Sequence, residues 1–193
     1  MEATAPNHGS YLRQVWLVLA LAIAYGAALA GADIGLSGRI AENKKNETYS
    51  QIPALCPGAL AEKTKEEKVG DTKVFQAINK SGEQVGWVIP ASSNGFADKL
   101  QILVGLSTDL KKVTGIYVLF QKETPALGDK ITEPVFQKQY AGLAATKNIM
   151  VVKTKPVSGK NEIQAITAAT ISSKAVTQAV NDAVTWFRKE KGA

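Results

Sequence analysis

The chain has 193 residues and a formal charge of +6, from 23 Lys and Arg against 17 Asp and Glu. One Cys and one His exclude an internal disulfide framework, a His-based catalytic triad, haem attachment and any multi-Cys or multi-His metal site built from this chain alone. The lysines are interspersed with acids and form no basic stripe with aromatics between, which argues against nucleic acid as a partner.

A length of this order accommodates one globular domain beside an apolar N-terminal segment. Residues 1–14 read as a polar tail that contains His8. Val15 to Ala32 then runs without a charge, between Arg13 and the pair Asp33 and Arg39. A bilayer crossing needs about 20 apolar residues at ~1.5 Å rise each, so residues 15–34 are expected to form one transmembrane anchor. Trp16 sits where an interfacial aromatic belongs, and Gly26 and Ala30 have the spacing that lets membrane helices pack closely. Ala28-Leu-Ala30 and Ala30-Gly-Ala32 resemble signal-peptide cleavage sites. The uncharged run nevertheless exceeds the ~7–15 residues of a signal h-region and favours a retained anchor. Arg39, Lys44 and Lys45 follow the anchor, and by charge count alone they favour a cytoplasmic C-terminal domain.

Residues 35–70 carry charge, Pro53, Pro57 and Gly58 with weak apolar periodicity, and read as a helical or irregular connector. Cys56, between Leu55 and Pro57, reads as a small apolar residue. Glu62 to Lys68 is mixed in sign and reads as a solvated face or linker.

From residue 71 the pattern changes. Thr72–Asn79 and Val85–Ile89 read as strands joined at Lys80-Ser-Gly-Glu83, and Leu100–Ser107 and Val113–Phe120 as strands joined at residues 108–112. Thr132–Ala144 is expected to be helix, Ile149–Lys153 a short strand, and Ser172–Lys189 a helix. Ala175, Val176, Ala179, Val180, Ala183, Val184 and Phe187 recur in that last helix at helical spacing, which is a core-facing stripe. Hairpins followed by helices predict an α+β domain over residues 71–193, an antiparallel sheet with packed helices.

Three segments carry chemistry. Gln164-Ala-Ile-Thr-Ala-Ala-Thr170-Ile-Ser-Ser-Lys174 places hydroxyls at Thr167, Thr170, Ser172 and Ser173 around a helix start, where first-turn N–H groups and the helix dipole favour a phosphate. Taken alone, the same hydroxyls also read as ordinary helix caps. Gln121-Lys-Glu-Thr-Pro-Ala-Leu-Gly128 follows a strand and has Pro125 and Gly128 to shape a turn. Ala91 to Leu100 contains Gly95 and Phe96. The chain carries no dinucleotide fingerprint and no P-loop.

These segments resemble the FMN-binding domain family shared by the G subunits of Rnf-type ion-translocating oxidoreductases and the C subunits of Na+-translocating quinone reductases. Residues 164–170 are similar to its flavinylation sequence, Asp-x-x-Ser/Thr-Gly-Ala-Thr, with Gln164 for Asp and Ala168 for Gly. The loop is similar to Glu-Thr-Pro-Gly-Leu-Gly, with Ala126 for one Gly. An alanine at a left-handed position 168 would be strained.

The resemblance implies FMN as cofactor, phosphoester-linked to Thr170. Thr167, Ala168, Ala169, Ile171, Ser172, Ser173 and Lys174 would surround the phosphate. Glu123, Thr124, Leu127, Gly128, Gly95 and Phe96 would lie by the ring. It also implies an electron carrier rather than an autonomous enzyme, with no catalytic residue of its own. A flavin transferase would install the bond, and the partners would be the membrane subunits and the ferredoxin and NAD modules of the complex. The family's domain lies on the periplasmic face of the inner membrane, opposite to the local charge count. Two alternatives remain open at this point, the flavin-carrying component of a quinone reductase and a flavin-free anchored assembly or ligand-binding protein.

Overall fold

The computed structural model describes residues 8–192, so the first half of the expected polar tail, residues 1–7, lies outside the described residues. Its first element, α1 (His8–Leu55), is a 48-residue helix. Alanine-rich sequence with few β-branched residues sustains it, and no proline interrupts it before Pro53. The helix ends two residues after that proline, and Gly58 turns the chain at φ +89°. The chain divides into two compact units, residues 1–45 and 46–193.

In the first unit the apolar run from Val15 is long and hydrophobic enough to cross a membrane by length and composition. Its large side chains stand exposed, Ile23 by 72% and Ile34 by 76%. Water would penalise such a surface heavily, whereas lipid would not.

The second unit is built on a five-stranded antiparallel meander in chain order: β1 (Lys65–Val69), β2 (Thr72–Ile78), β3 (Gln84–Asn94), β4 (Lys99–Leu106) and β5 (Val113–Phe120). Side-chain alternation gives the sheet two buried faces. On one face Val74, Trp87, Ile89, Ile102 and Val104 pack under α3 (Thr170–Glu190), whose stripe of Val176, Ala179, Val180, Ala183, Val184 and Phe187 is buried as its periodicity predicts. On the other, Phe75, Ala77, Val88 and Leu103 pack against Ile52, Leu55 and Cys56 at the end of α1. Two tyrosines clasp that end of α1. Tyr117 donates to Glu47 at 2.8 Å, and Tyr49 donates to Glu66 at 2.6 Å. The architecture is thus α+β, an antiparallel sheet with packed helices preceded by an apolar helix.

Several elements differ from expectation. The charged run at 65–69, expected as a solvated face or linker, is a largely exposed strand. It forms the sheet edge, where exposed lysines and glutamates discourage pairing with other chains. β3 continues through Pro90 to Asn94 and pairs with β4 up to Asn94 opposite Lys99, so residues 95–98 make a further hairpin turn. Pro90 hides this extension in the sequence, since proline ordinarily argues against a strand interior. The helix expected over 132–144 is only α2 (Pro134–Gln137), flanked by 3-10 turns at 128–132 and 138–140 and stopped before Gly142 at φ +85°. The short strand at 149–153 is present as β6 (Met150–Val152). It pairs in parallel with β7 (Glu162–Gln164), a strand too short to carry a period of its own.

Cys56 is 1% exposed, and burial pushes its thiol up from 9.0 to about 11. The folded chain therefore favours the protonated thiol. The resulting stability is complete below pH 9 and is lost as pH rises toward 11, by about 2–3 kcal/mol at most. Urea midpoints measured between pH 8 and 11 should fall for wild type and fall less for Cys56→Ala. The native thiol should resist alkylation at pH 8 and react once the chain is denatured.

Candidate functional site

The strand β5 ends at Phe120, and the following loop turns sharply at Thr124-Pro-Ala-Leu127, where the Leu127 N–H donates to the Thr124 carbonyl at 3.2 Å. Proline in second place and a positive φ in third is the type II pattern. Here the third residue is Ala126, at φ 62°. The segment before α3 repeats the arrangement: the Ala169 N–H donates to the Ile166 carbonyl at 3.0 Å, and Ala168 has φ 64°. Each alanine bears a left-handed backbone that costs an L-residue about 1–2 kcal/mol relative to its usual conformations. These are the two positions at which the sequence departs from the glycines of the motifs it resembles, and the strain anticipated at Ala168 is present.

The two turns face each other across a pocket of about 320 Å³. It is lined by Phe96, Glu123, Thr124, Leu127, Gly128, Ala168, Ala169, Thr170, Ile171 and Ser172. Phe96, Leu127 and Ile171 are 65, 42 and 56% exposed, an apolar mouth of the kind that planar ligands occupy. Thr170 is the first residue of α3, and Ala169 in the cap position provides no side-chain cap. The first helical hydrogen bond runs from the Ser173 N–H to the Ala169 carbonyl, so the amides of Thr170, Ile171 and Ser172 precede it.

Glu123 holds the three segments together. It is 6% exposed, and its Oε1 accepts the N–H groups of Phe96 at 2.9 Å and Ala97 at 3.1 Å. Its Oε2 accepts the Ser172 hydroxyl at 2.6 Å. Gly95 and Gly128 make room for it: a Cβ on Gly95 would strike Oε1, and one on Gly128 would come within 2.8 Å of both Cβ and Oε2.

Of the residues singled out from sequence, ten line this pocket. Gly95 supports it from behind. Ser173 is buried and turned inward, donating to the Ala169 carbonyl at 2.9 Å and accepting the Ile166 N–H at 3.0 Å, so it braces the turn. Thr167 faces an adjacent groove with Lys130, Val135 and Gln139, and Lys174 is exposed one turn into α3. Two supporting groups had no sequence signal. One is the backbone N–H of Ala97. The other is the Gln121 side chain, which accepts the Glu123 N–H at 2.6 Å.

The profile of the FMN-binding domain family matches residues 95–185, which takes in all three segments. The G subunit of the Na+-translocating ferredoxin:NAD+ oxidoreductase complex of Acetobacterium woodii is 36% identical over 138 residues, 71% of this chain and 66% of that one. Residues 95–185 are thus a domain of the FMN-binding domain family. The G subunit of the ion-translocating oxidoreductase complex of Methanosarcina acetivorans is 35% identical over 118 residues, 61% of this chain and 60% of its own. The chain thus spans roughly 60–66% of these curated relatives. Among solved structures, the C subunit of the Na+-translocating NADH-quinone reductase of Parabacteroides distasonis superposes with a TM-score of 0.55 at 26% identity, covering 63% of each chain.

The pocket fits the group that the family takes its name from. An apolar mouth suits an aromatic ring system, and an uncapped helix start beside a hydroxyl suits a phosphate. Thr170 makes no side-chain hydrogen bond among the described residues, so its hydroxyl is not committed elsewhere.

Proposed function

We propose that the pocket holds FMN and that the chain is the membrane-anchored flavin subunit of an Rnf-type ion-translocating oxidoreductase. The observation that carries this reading is the convergence of three segments, far apart in sequence, on one pocket with the Thr170 hydroxyl at the start of α3. Bound FMN supplies one- and two-electron transfer.

The chain's own residues position the cofactor and exclude water. Phe96, Leu127 and Ile171 supply apolar contact for the ring. The first-turn amides of α3 and Lys174 offset phosphate charge. Thr170 Oγ1 carries the phosphoester, which a flavin transferase installs. Ser172 and Ser173 keep the helix start in place through the bonds described above. The partners are the other membrane and redox subunits of the complex, and residues 15–34 anchor the chain in the inner membrane. We favour the Rnf-type assignment over the quinone-reductase one because the Rnf-type relatives are the more similar in sequence.

The visible absorption spectrum of the purified full chain, coexpressed with a flavin transferase, tests the reading. Flavin bands are expected, and their absence would favour a flavin-free assembly protein. Leu127→Asp places a charge at the ring position. It should lower the flavin midpoint potential, by up to about 90 mV for a two-electron couple if the charge lies about 4 Å from the ring with surface-like screening, while attachment survives. An unchanged potential in a redox titration would remove Leu127 from the ring site.

The domain is proposed to face the periplasm. A cysteine introduced at exposed Lys68 should then be labelled by an impermeant maleimide from outside the inner membrane. Labelling only after that membrane is broken would reverse the orientation.

A further inference from the structure

We infer that Glu123 is a positioning residue whose carboxylate ties the ring side of the pocket to the phosphate side. The inference rests on the FMN reading for its flavin readout, but not for its exchange readout.

Glu123 lies 26 and 27 residues from the two amides it accepts and 49 from Ser172. One carboxylate therefore joins the 95–98 turn, the 123–128 loop and the first turn of α3. It forms no ion pair among the described residues, so the charge is offset by hydrogen-bond donors alone. Burying an unpaired charge is costly, and an apolar contact would join the same segments without that cost. What the carboxylate adds is direction. Oε1 fixes two successive N–H groups beside Phe96, and Oε2 fixes the hydroxyl two residues beyond Thr170. Gly95 and Gly128 leave the space it occupies, so backbone and side chain are fitted to one another. The pocket's width is then set by this carboxylate.

Glutamine is the discriminating substitution. Its carbonyl oxygen can keep the Phe96 and Ala97 amides, and its NH2 can donate to Ser172 Oγ, because a hydroxyl both donates and accepts. Glu123→Gln therefore removes the charge and keeps the clasp, whereas Glu123→Ala removes both.

The test is amide hydrogen exchange on the full chain in detergent, without flavin, followed by flavin fluorescence anisotropy on protein coexpressed with the transferase. Glu123→Ala should speed exchange at Phe96 and Ala97 by about ten- to hundredfold, the loss expected for hydrogen bonds to a charged group. β4 should keep its wild-type protection. Glu123→Gln should stay near wild type. Tethered flavin should show lower anisotropy in the alanine variant and wild-type anisotropy in the glutamine variant. Unchanged exchange in Glu123→Ala would overturn the inference. So would loosening spread through the whole sheet, or a glutamine variant as fast as alanine. Wild type that takes up no flavin would sink the FMN reading instead, and exchange would still decide the role of Glu123.

Discussion

Thr170→Ala is expected to abolish all flavin fluorescence that survives denaturation, while the domain folds as before. The tether proposed at Thr170 Oγ1 has no substitute nearby. The Ser172 hydroxyl is given to Glu123, the Ser173 hydroxyl to the Ala169 carbonyl, and Thr167 opens onto a different groove. Folding should be little affected, because the Thr170 side chain makes no hydrogen bond among the described residues and alanine suits the first turn of a helix. A change within about 0.5–1 kcal/mol is expected. In-gel fluorescence beside a thermal melt checks both halves. Covalent fluorescence retained in Thr170→Ala would move the attachment point.

Phe187→Ala should be the most damaging single change in the domain. Phe187 is 0% exposed and meets Trp87 of β3 edge-on with ring centroids 5.1 Å apart, in the contact between α3 and the sheet. Truncation there removes a buried aromatic and leaves a cavity, at a cost of about 3–5 kcal/mol. That is a large share of the ~5–15 kcal/mol that holds a domain together. A lower urea midpoint with an unchanged slope would report it. Val135→Ala is the control, since Val135 is 79% exposed and should shift the midpoint little. The flavin site should weaken along with the fold in Phe187→Ala, because α3 carries both the core stripe and Thr170.

Periodicity explains which parts of this architecture are legible in sequence. The α3 stripe repeats at helical spacing, and β2, β4 and β5 are apolar runs rich in β-branched and aromatic residues between turn signals, so both stand above local propensity. The 65–69 strand escapes because an edge strand buries little and carries charge, so its composition matches that of a linker. The end of β3 escapes because Pro90 interrupts it, and β7 because three residues hold no pattern. Residues 134–137 fail as a long helix because Pro134 starts a turn that Gly142 does not let continue.

The pocket is legible for a different reason. Its chemistry lies in short motifs whose residue types are demanded by backbone geometry: a proline that sets a turn, glycines that admit a carboxylate, hydroxyls at a helix start. Ala126 and Ala168 show the limit of that legibility. Their sequence identity argues against a left-handed turn, yet both adopt one, because the surrounding hydrogen bonds at Thr124 and Ile166 hold the turns closed. The partnership at the centre leaves no trace in sequence. Backbone N–H groups of residues 96 and 97 carry no residue signature, so the role of Glu123 as their common acceptor emerges only in three dimensions.

A covalent flavin on Thr170 would be read most plainly from the intact mass of the denatured full chain after coexpression with a flavin transferase. A mass raised by one covalently held FMN, located to the peptide containing Thr170, is the predicted result. An unmodified mass in the presence of a transferase that is active on another family member would contradict the proposed tether at Thr170.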